Sequence, residues 1–218
     1  MPLAGSAFAD FTIFGLSNGA LRAAARPLPA ARAAINAPFF RGRGGEGLRT
    51  EYLLGKEVER VLAALMPSNR LVMRVILHTG LRISDVLALR PDDLRPHRWI
   101  TEQKTGKRRF VGFPADLLDD LRKECGKYWV FPGRDPTKHR TRQAVWCDVK
   151  RAAAAFRLPQ NVGTHSARKV YAVDLMRKYG DIAHVQRILQ HSSPTVTAIY
   201  AMADALLAQK YRKRRGRA

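Results

Sequence analysis

The residues best suited to chemistry lie in three fragments that span about half of the chain. TGLRISDVL contains Arg82, THSARK contains His165 and Arg168, and QHSSPTVTAIY contains His191 with Tyr200 nine residues later. An arginine holds a phosphate through a planar fork of N–H groups. A histidine transfers protons near neutral pH, and a tyrosine hydroxyl can be a covalent nucleophile. Together these residue types predict chemistry on phosphodiesters.

Each fragment has a plainer interpretation when it is taken alone. Asp85 follows Arg82 by one helical turn and is expected to orient it, but such a pair is often only a surface pair. The HxxR spacing of His165 and Arg168 is common by chance, and Tyr200 lies in an apolar run where a tyrosine usually packs in the core. The prediction of phosphodiester chemistry therefore rests on the order and spacing of all the fragments together.

A lysine near the turn of a predicted hairpin is a further candidate. WITEQKTGKRRFVGFP has extended runs on both sides of Thr105–Gly106, which predicts a β-hairpin with Lys104 on its first strand, just before the turn. An ammonium group there could donate a proton to a leaving oxygen. Lys107, Arg108 and Arg109 on the return strand compete for this role, and a merely solvated basic tip is the plain alternative.

Helical patterns lie on both sides of this hairpin. Before it, EVERVLAAL, LVMRVILHTG and LRISDVLAL predict helices that end at Pro67, Gly80 and Pro91. After it, PADLLDDLRKE, TRQAVWCDVKRAAAAF, HSARKVYAVDLMRKYG and DIAHVQRILQH predict four more. Ser193–Pro194 is a typical helix start and predicts a short helix that carries Tyr200. The predicted fold class is mainly α with a small antiparallel β-hairpin (α+β).

The charge of the chain predicts a polyanionic partner. Lys and Arg number 39 against 18 Asp and Glu, a net charge of +21. Counterion release and long-range attraction draw such a chain to nucleic acid first and to an anionic membrane surface second, whereas a solubilising basic surface is the plain alternative. The two cysteines form no CxxC pair, which predicts reduced thiols rather than a zinc site. No apolar run approaches the ~20 residues of a membrane span.

Composition divides the chain near residue 50. Residues 1–50 are rich in Ala, Gly, Pro and Arg and have no sustained period, which predicts a basic, disordered arm. An organelle transit peptide or a tail from an upstream translation start is the alternative interpretation. Residues 51–218 are predicted to form the catalytic domain, ending in a basic tail, QKYRKRRGRA, with six cations and no acid.

The fragments and the hairpin, in this order, resemble the tyrosine recombinases, also called phage integrases, over roughly residues 52–205. TGLRISDVL resembles the first arginine box of that family, and THSARK with LQHSSPTVTAIY resembles the second. QKTGK resembles the segment that holds its catalytic lysine. The resemblance implies a tyrosine recombinase catalytic-domain fold and the breakage and rejoining of DNA strands, as in site-specific recombination or integration.

The resemblance also implies a role for each candidate residue. Tyr200 would attack the scissile phosphate and form a 3′-phosphotyrosyl link with a free 5′-hydroxyl. Arg82 and Arg168 would hold the non-bridging oxygens and stabilise the transition state. Lys104 would protonate the departing 5′-oxygen.

The remaining candidates would assist the same step. His165 would take part in proton transfer from Tyr200, His191 would hydrogen-bond the phosphate, and Asp85 would brace Arg82. Because the covalent link retains the energy of the broken bond, religation needs neither ATP, metal nor another cofactor. The sequence agrees, since it has no P-loop and no convincing carboxylate cluster for two-metal catalysis.

Partners and alternatives follow from the same comparison. The expected partner is double-stranded DNA, with accessory DNA-bending proteins as further candidates and no membrane, and the expected location is cytoplasmic and nucleoid-associated. The chain is expected to be a monomer in solution and a tetramer on DNA, where residues 202–218 either dock on a neighbour or pack on their own domain. Family members usually carry a helical core-binding domain before the catalytic one, and only about 50 residues precede it here. A non-catalytic DNA-binding remnant or regulator, or a type IB topoisomerase-like nicking-closing enzyme, is therefore the alternative function.

Overall fold

The computed structural model describes residue 53, residues 55–158 and residues 161–190. In this part of the chain the fold combines seven α-helices with one β-hairpin. The elements in this part of the chain are α1 (Gly55–Ala64), α2 (Pro67–Thr79), α3 (Ile83–Leu87), β1 (His97–Thr101), β2 (Arg108–Gly112), α4 (Ala115–Glu124), α5 (Arg142–Ala155), α6 (Thr164–Tyr179) and α7 (Ile182–Leu189). The predicted class, mainly α with a small antiparallel hairpin, is confirmed. None of the described helices has the length and apolar character needed to cross a bilayer.

Several predictions concern residues outside this described part. They are the basic arm at residues 1–50, the short helix after Ser193–Pro194 with His191 and Tyr200, and the segment and basic tail at residues 202–218. Pro159, predicted to stop α5, also lies outside it, and α5 ends four residues earlier at Ala155.

Helix α2 is the centre of the core and packs against α1, α3, α4 and α6. Its apolar residues are buried on all sides, among them Val72, Val75 and Ile76. The predicted helix began at Leu71, but the structure starts it at Pro67, because proline fits the first helical turn, where its missing N–H costs no bond. The predicted end holds, since Gly80 closes the helix with φ of +62°.

A carboxylate from α5 holds the start of this central helix. Asp148 Oδ2 accepts hydrogen bonds from the Met66 backbone N–H at 2.9 Å and from Asn69 Nδ2 at 2.7 Å. One backbone donor of the helix N-terminus and one side-chain donor in its first turn are thereby satisfied by a buried acid. The contact fixes α5 against α2 and so supports the segment that leads to Gly80.

The hairpin differs from its prediction in one respect. β1 pairs antiparallel with β2, with Trp99 opposite Phe110 and Thr101 opposite Arg108. This register leaves six residues, 102–107, in the connection, so Lys104 lies in the exposed turn and its predicted place on the first strand is wrong. The connection is closed by a hydrogen bond from Gly106 N–H to Glu102 O at 2.8 Å.

Helices α6 and α7 follow their predicted bounds closely. Gly180 ends α6 with φ of +66°, as glycine does at many helix ends. Asp181 then caps α7, because its Oδ1 accepts a hydrogen bond from Ala183 N–H at 2.8 Å. The described chain continues to Gln190, whose φ of +52° turns it away from the helix axis.

A largely buried histidine near the end of α2 is expected to make the fold sensitive to acid. The pKa of His78 is lowered from 6.5 to about 4, by burial first and then by the positive charge of Arg74, against the opposing effect of Asp116. The unfolded chain therefore binds this proton at a higher pH than the folded protein. The contribution of neutral His78 to the free energy of unfolding is fully present above pH 6.5 and is lost as the pH falls towards 4. By pH 5 the loss amounts to about 2 kcal/mol.

Urea unfolding of wild type and His78→Gln at pH 7 and pH 5 measures this contribution. The difference between the two pH values should be smaller in His78→Gln and unchanged in a His184→Gln control. Because the control also removes one histidine, the comparison isolates the contribution of His78. An equal loss on acidification in wild type and His78→Gln would contradict the assignment.

Candidate active site

Arg82 stands at the entrance of α3, where its side chain is held by an acid from the hairpin. It is the N-cap residue, with extended backbone at φ −73° and ψ 151°. Its Nη1 donates to Glu102 Oε2 in a salt bridge, and the Arg82 side chain keeps 19% of its surface exposed. The guanidinium is thus fixed on one side by a carboxylate while another side remains open to a ligand.

Glu102 links this arginine to the turn that carries Lys104. Its side chain is completely buried, and its Oε2 also accepts a hydrogen bond from Thr105 Oγ1 at 3.0 Å. Its Oε1 lies 4.0 Å from Nη1 of the buried Arg109. The Glu102 carboxylate therefore couples the conformation of the turn to the position of the Arg82 side chain. Both Arg82 and Thr105 donate to the same oxygen, so a movement of one displaces the acceptor of the other.

The sequence analysis did not single out Glu102. A signal was nevertheless present, since Glu102 is the only acid between Asp93 and Asp116, a stretch with many cations. A lone acid in a strongly basic segment is a good candidate for a buried partner of arginine, because an unpaired buried guanidinium is costly.

Asp85 supports the same segment through the backbone. It is buried, and its Oδ1 accepts a hydrogen bond from the Gln103 backbone N–H at 2.9 Å. Burial raises the pKa of this carboxyl, with a smaller contribution from the negative charge of Glu102, while the hydrogen bond from Gln103 and the charge of Arg82 act against the increase. The salt bridge to the Arg82 guanidinium comes from Glu102, whereas Asp85 accepts backbone hydrogen bonds from Gln103 and from Arg82 itself.

Arg168 reaches from the second turn of α6 to the end of α2. Its Nη1 donates to the carbonyl oxygen of Gly80, and its Nη2 donates to that of Leu189 at 2.7 Å. Arg109 Nη1 donates to the same Gly80 oxygen at 3.2 Å. Because Gly80 is two residues before Arg82, the two predicted arginine fragments meet at one point in the fold.

The end of α7 joins this cluster as well. Gln190 Nε2 donates to Arg108 O on β2 at 2.9 Å. Leu189, which binds Arg168, and Gln190 are the last described residues before His191. The segment leading towards His191 and Tyr200 is therefore anchored to α6 and to the hairpin, whereas those two residues themselves lie outside the described part.

His165 lies at the start of α6, exposed at one edge. Its pKa is lowered from 6.5 to about 4, by burial first and then by the positive charges of Arg168, Lys169, Arg82 and Lys104. Three other predicted site residues thus act electrostatically on His165, which is neutral at pH 7.

The structure brings together the segments of Arg82, Lys104, His165 and Arg168, which are far apart in sequence. The resulting cluster is basic and open on one side, as an anion-binding site requires. Among the described residues, no group of three or more His, Cys, Asp or Glu side chains could hold a metal ion. The catalytic roles of these residues, and of His191 and Tyr200, stay predictions.

Comparison with known proteins places this arrangement in a family. The model of the Phage integrase family matches residues 51–206. A probable integrase/recombinase, YoeC, of Bacillus subtilis strain 168 is 34% identical over 138 residues, which are 59% of this chain and 74% of that protein. The integrase of Escherichia phage P2 is 29% identical over 180 residues, which are 78% of this chain and 50% of that protein.

A solved structure shares the fold. The catalytic domain of bacteriophage HP1 integrase matches with a TM-score of 0.55 at 25% identity, over 71% of this chain and 89% of that domain. The chain spans from about half to about three quarters of the length of the curated relatives it matches.

Proposed function

The chain belongs to the phage integrase family, and from this premise we propose that it breaks and rejoins DNA strands through a 3′-phosphotyrosyl intermediate, in site-specific recombination or integration. The observation that carries the proposal is the meeting of both arginine fragments at Gly80. Fold alone does not imply function, so the argument rests on what the clustered side chains can do.

The two arginines supply the anion site. Arg82 presents a guanidinium held by Glu102, and Arg168 presents one held by two backbone carbonyls. Because both heads are held before substrate arrives, little reorganisation is needed when charge develops on a phosphate. In the proposed reaction they bind the non-bridging oxygens of the scissile phosphate.

Proton transfer completes the proposed step. The Tyr200 oxygen forms a bond to phosphorus, the bond from phosphorus to the 5′-oxygen breaks, and Lys104 gives that oxygen its proton. His165, which is neutral at pH 7, takes the proton of Tyr200. His191 donates a hydrogen bond to the phosphate. Attack by the freed 5′-hydroxyl reverses the sequence and regenerates the tyrosine.

The proposed partner is double-stranded DNA, and the proposed place of action is therefore the nucleoid. The net charge of +21 supports this partner, because each cation placed at a phosphate releases counterions. Among structures of similar fold, lambda integrase forms a dimer bound to a core site and a tetramer bound to a Holliday junction. By analogy, we propose a tetramer on DNA, and for the protein without DNA we propose a monomer.

Trapping the covalent intermediate tests this function. Wild-type protein is incubated in EDTA, without ATP, with a pool of nicked duplexes from which a short 5′-hydroxyl fragment escapes after cleavage. We expect a denaturant-resistant adduct that protease removes, with the 3′ end blocked and the 5′ end free for labelling. An adduct on the 5′ end, or one that forms only with added Mg²⁺, would contradict the mechanism, and the trapped duplexes identify the target sequence.

Glu102→Gln tests the proposed anion site. The substitution keeps the size of the side chain but removes the charge that holds Arg82. Hydrogen bonds to charged groups contribute about 1.5–3 kcal/mol, so we expect adduct formation to slow by about 10- to 100-fold. DNA affinity should not fall, because a negative charge is lost.

The matched control is Glu124→Gln, at an exposed acid that hydrogen-bonds only Ser68 among the described residues. Its adduct rate should equal that of wild type. Equal rates for Glu102→Gln and wild type would show that the carboxylate charge does not orient Arg82 for the reaction.

A further inference from the structure

The outer face of the hairpin is an exposed aromatic surface that the proposed cleavage step does not use. Side chains alternate along both strands, and the inner ones, Ile100, Arg109 and Val111, are buried. On the opposite face Trp99 is 53% exposed and Phe110 is 43% exposed. Two large aromatic side chains opposite each other on one open face are unusual in a surface without a ligand.

The rings form a continuous row. His97 stacks on Phe110 with ring centroids 5.6 Å apart and planes 6° apart. Phe110 contacts Trp99 at 5.2 Å, and the Arg108 guanidinium lies over the Trp99 ring at 5.4 Å. Flat groups in such a row offer stacking positions for other flat rings.

Positive charge borders this row. A groove of about 610 Å³ is lined by Arg95, His97, Arg98, Trp99, Thr101 and Arg108. Arg98 pairs with Asp93 at 3.0 Å, whereas Arg95 and Arg108 form no salt bridge with any described residue. Arg82, Lys104, His165 and Arg168, the candidate catalytic residues in the described part of the chain, do not line this groove.

We infer that this outer face, hereafter the stacking face, binds single-stranded DNA, with bases stacked on Trp99 and Phe110 and phosphates held by Arg95 and Arg108. Exposed π faces bind bases without regard to sequence, and guanidinium groups follow the backbone. Duplex DNA does not fit, because its bases are already stacked on one another. An acidic protein segment would satisfy the arginines but would leave the row of rings without stacking partners.

The position of the stacking face suggests which strand binds there; this step rests on the proposed function. Trp99 precedes Lys104 by five residues, so the two residues are at most about 17 Å apart along the chain. When the DNA strand is cleaved, Lys104 would protonate its leaving oxygen, and a strand end with a 5′-hydroxyl would be released. This strand end must separate from its complementary strand before it is joined to another one. The stacking face lies within reach of that released strand and would hold it during exchange.

Binding measurements without cleavage test the inference directly. In a Tyr200→Phe background, the affinity for a labelled single strand and for the corresponding duplex is compared between the parent and Trp99→Ala/Phe110→Ala. Loss of base stacking should weaken single-strand binding by about 5- to 150-fold for each base that loses its aromatic partner, and should leave duplex binding unchanged. The matched control is Tyr128→Ala/Phe156→Ala, which removes two aromatics 44% and 37% exposed elsewhere.

A second measurement keeps the test valid if the double variant folds poorly. In Trp129→Phe/Trp146→Phe, Trp99 is the remaining tryptophan, and its fluorescence should be quenched by a single strand but not by duplex or polyglutamate. Equal quenching by polyglutamate would indicate a protein partner and overturn the inference, as would equal losses of single-strand and duplex affinity. Adduct formation is assayed separately, so a failure of the proposed function is distinguishable from a failure of this site.

Discussion

Tyr200→Phe is expected to abolish the covalent protein–DNA adduct while leaving the fold and DNA affinity nearly unchanged. The phenolic oxygen is the proposed nucleophile, and phenylalanine fills almost the same volume without it. No other group can form a tyrosyl phosphodiester at that position, so the loss should be complete rather than partial. The measurement is the yield of denaturant-resistant adduct on the nicked duplex pool after a long incubation.

Tyr211→Phe provides the matched control for this loss. It removes the same hydroxyl from another tyrosine eleven residues later in the chain, and its adduct yield should equal that of wild type. If Tyr200 is instead an ordinary core residue with a satisfied hydroxyl, Tyr200→Phe would lower stability by about 1 kcal/mol and leave the adduct intact. Persistence of the adduct in Tyr200→Phe would therefore reject the assigned nucleophile.

Gly80→Ala is expected to produce the largest loss of stability among the substitutions considered. Gly80 has φ of +62°, where an L-residue costs about 1–2 kcal/mol. An added Cβ would lie 2.2 Å from Cδ1 of Tyr171, and overpacking of this kind costs about 1–3 kcal/mol more. Together we expect the free energy of unfolding to fall by about 2–5 kcal/mol, as measured by urea unfolding at pH 7.

The same substitution should also slow adduct formation in the protein that remains folded. The Gly80 carbonyl accepts hydrogen bonds from Arg168 and Arg109, so any shift of this backbone displaces the arginine cluster. DNA affinity should change less than the adduct rate, because most cations of the chain are unaffected.

Gly180→Ala separates the clash from the backbone strain. Gly180 also ends a helix with a positive φ, +66°, but no described residue lies within 4 Å of a Cβ placed there. We expect it to lose about 1–2 kcal/mol and to keep the wild-type adduct rate. Equal losses of stability in Gly80→Ala and Gly180→Ala would show that Tyr171 moves aside at no cost.

The sequence by itself determined the local structure of this protein. Apolar spacing predicted the helices that became α1 to α7, and Gly80 and Gly180 end helices where they were expected to, because a glycine takes a positive φ without the Cβ penalty. The sequence also predicted the family, and the match of the Phage integrase family model to residues 51–206 confirms that prediction.

Other local features were beyond the sequence pattern. Lys104 was predicted on a strand and lies in the turn, because the register of Thr101 with Arg108 leaves six residues in the connection. The pairing of residues between the two strands depends on how both strands pack on the core. The sequence of one strand alone does not specify that packing. The start of α2 was missed for a similar reason, since Pro67 can end one helix or begin the next.

The partners of the arginines were decided by the tertiary structure alone. Asp85 interacts with Arg82 through the Arg82 backbone, as one helical turn allows, whereas the salt bridge to the guanidinium comes from Glu102, twenty residues along the chain. Arg168 is fixed by Gly80 O, 88 residues away in sequence. Short-range spacing predicts contacts within a helix, whereas a buried guanidinium takes whichever acceptor the packed helices bring to it, because leaving it unpaired is too costly.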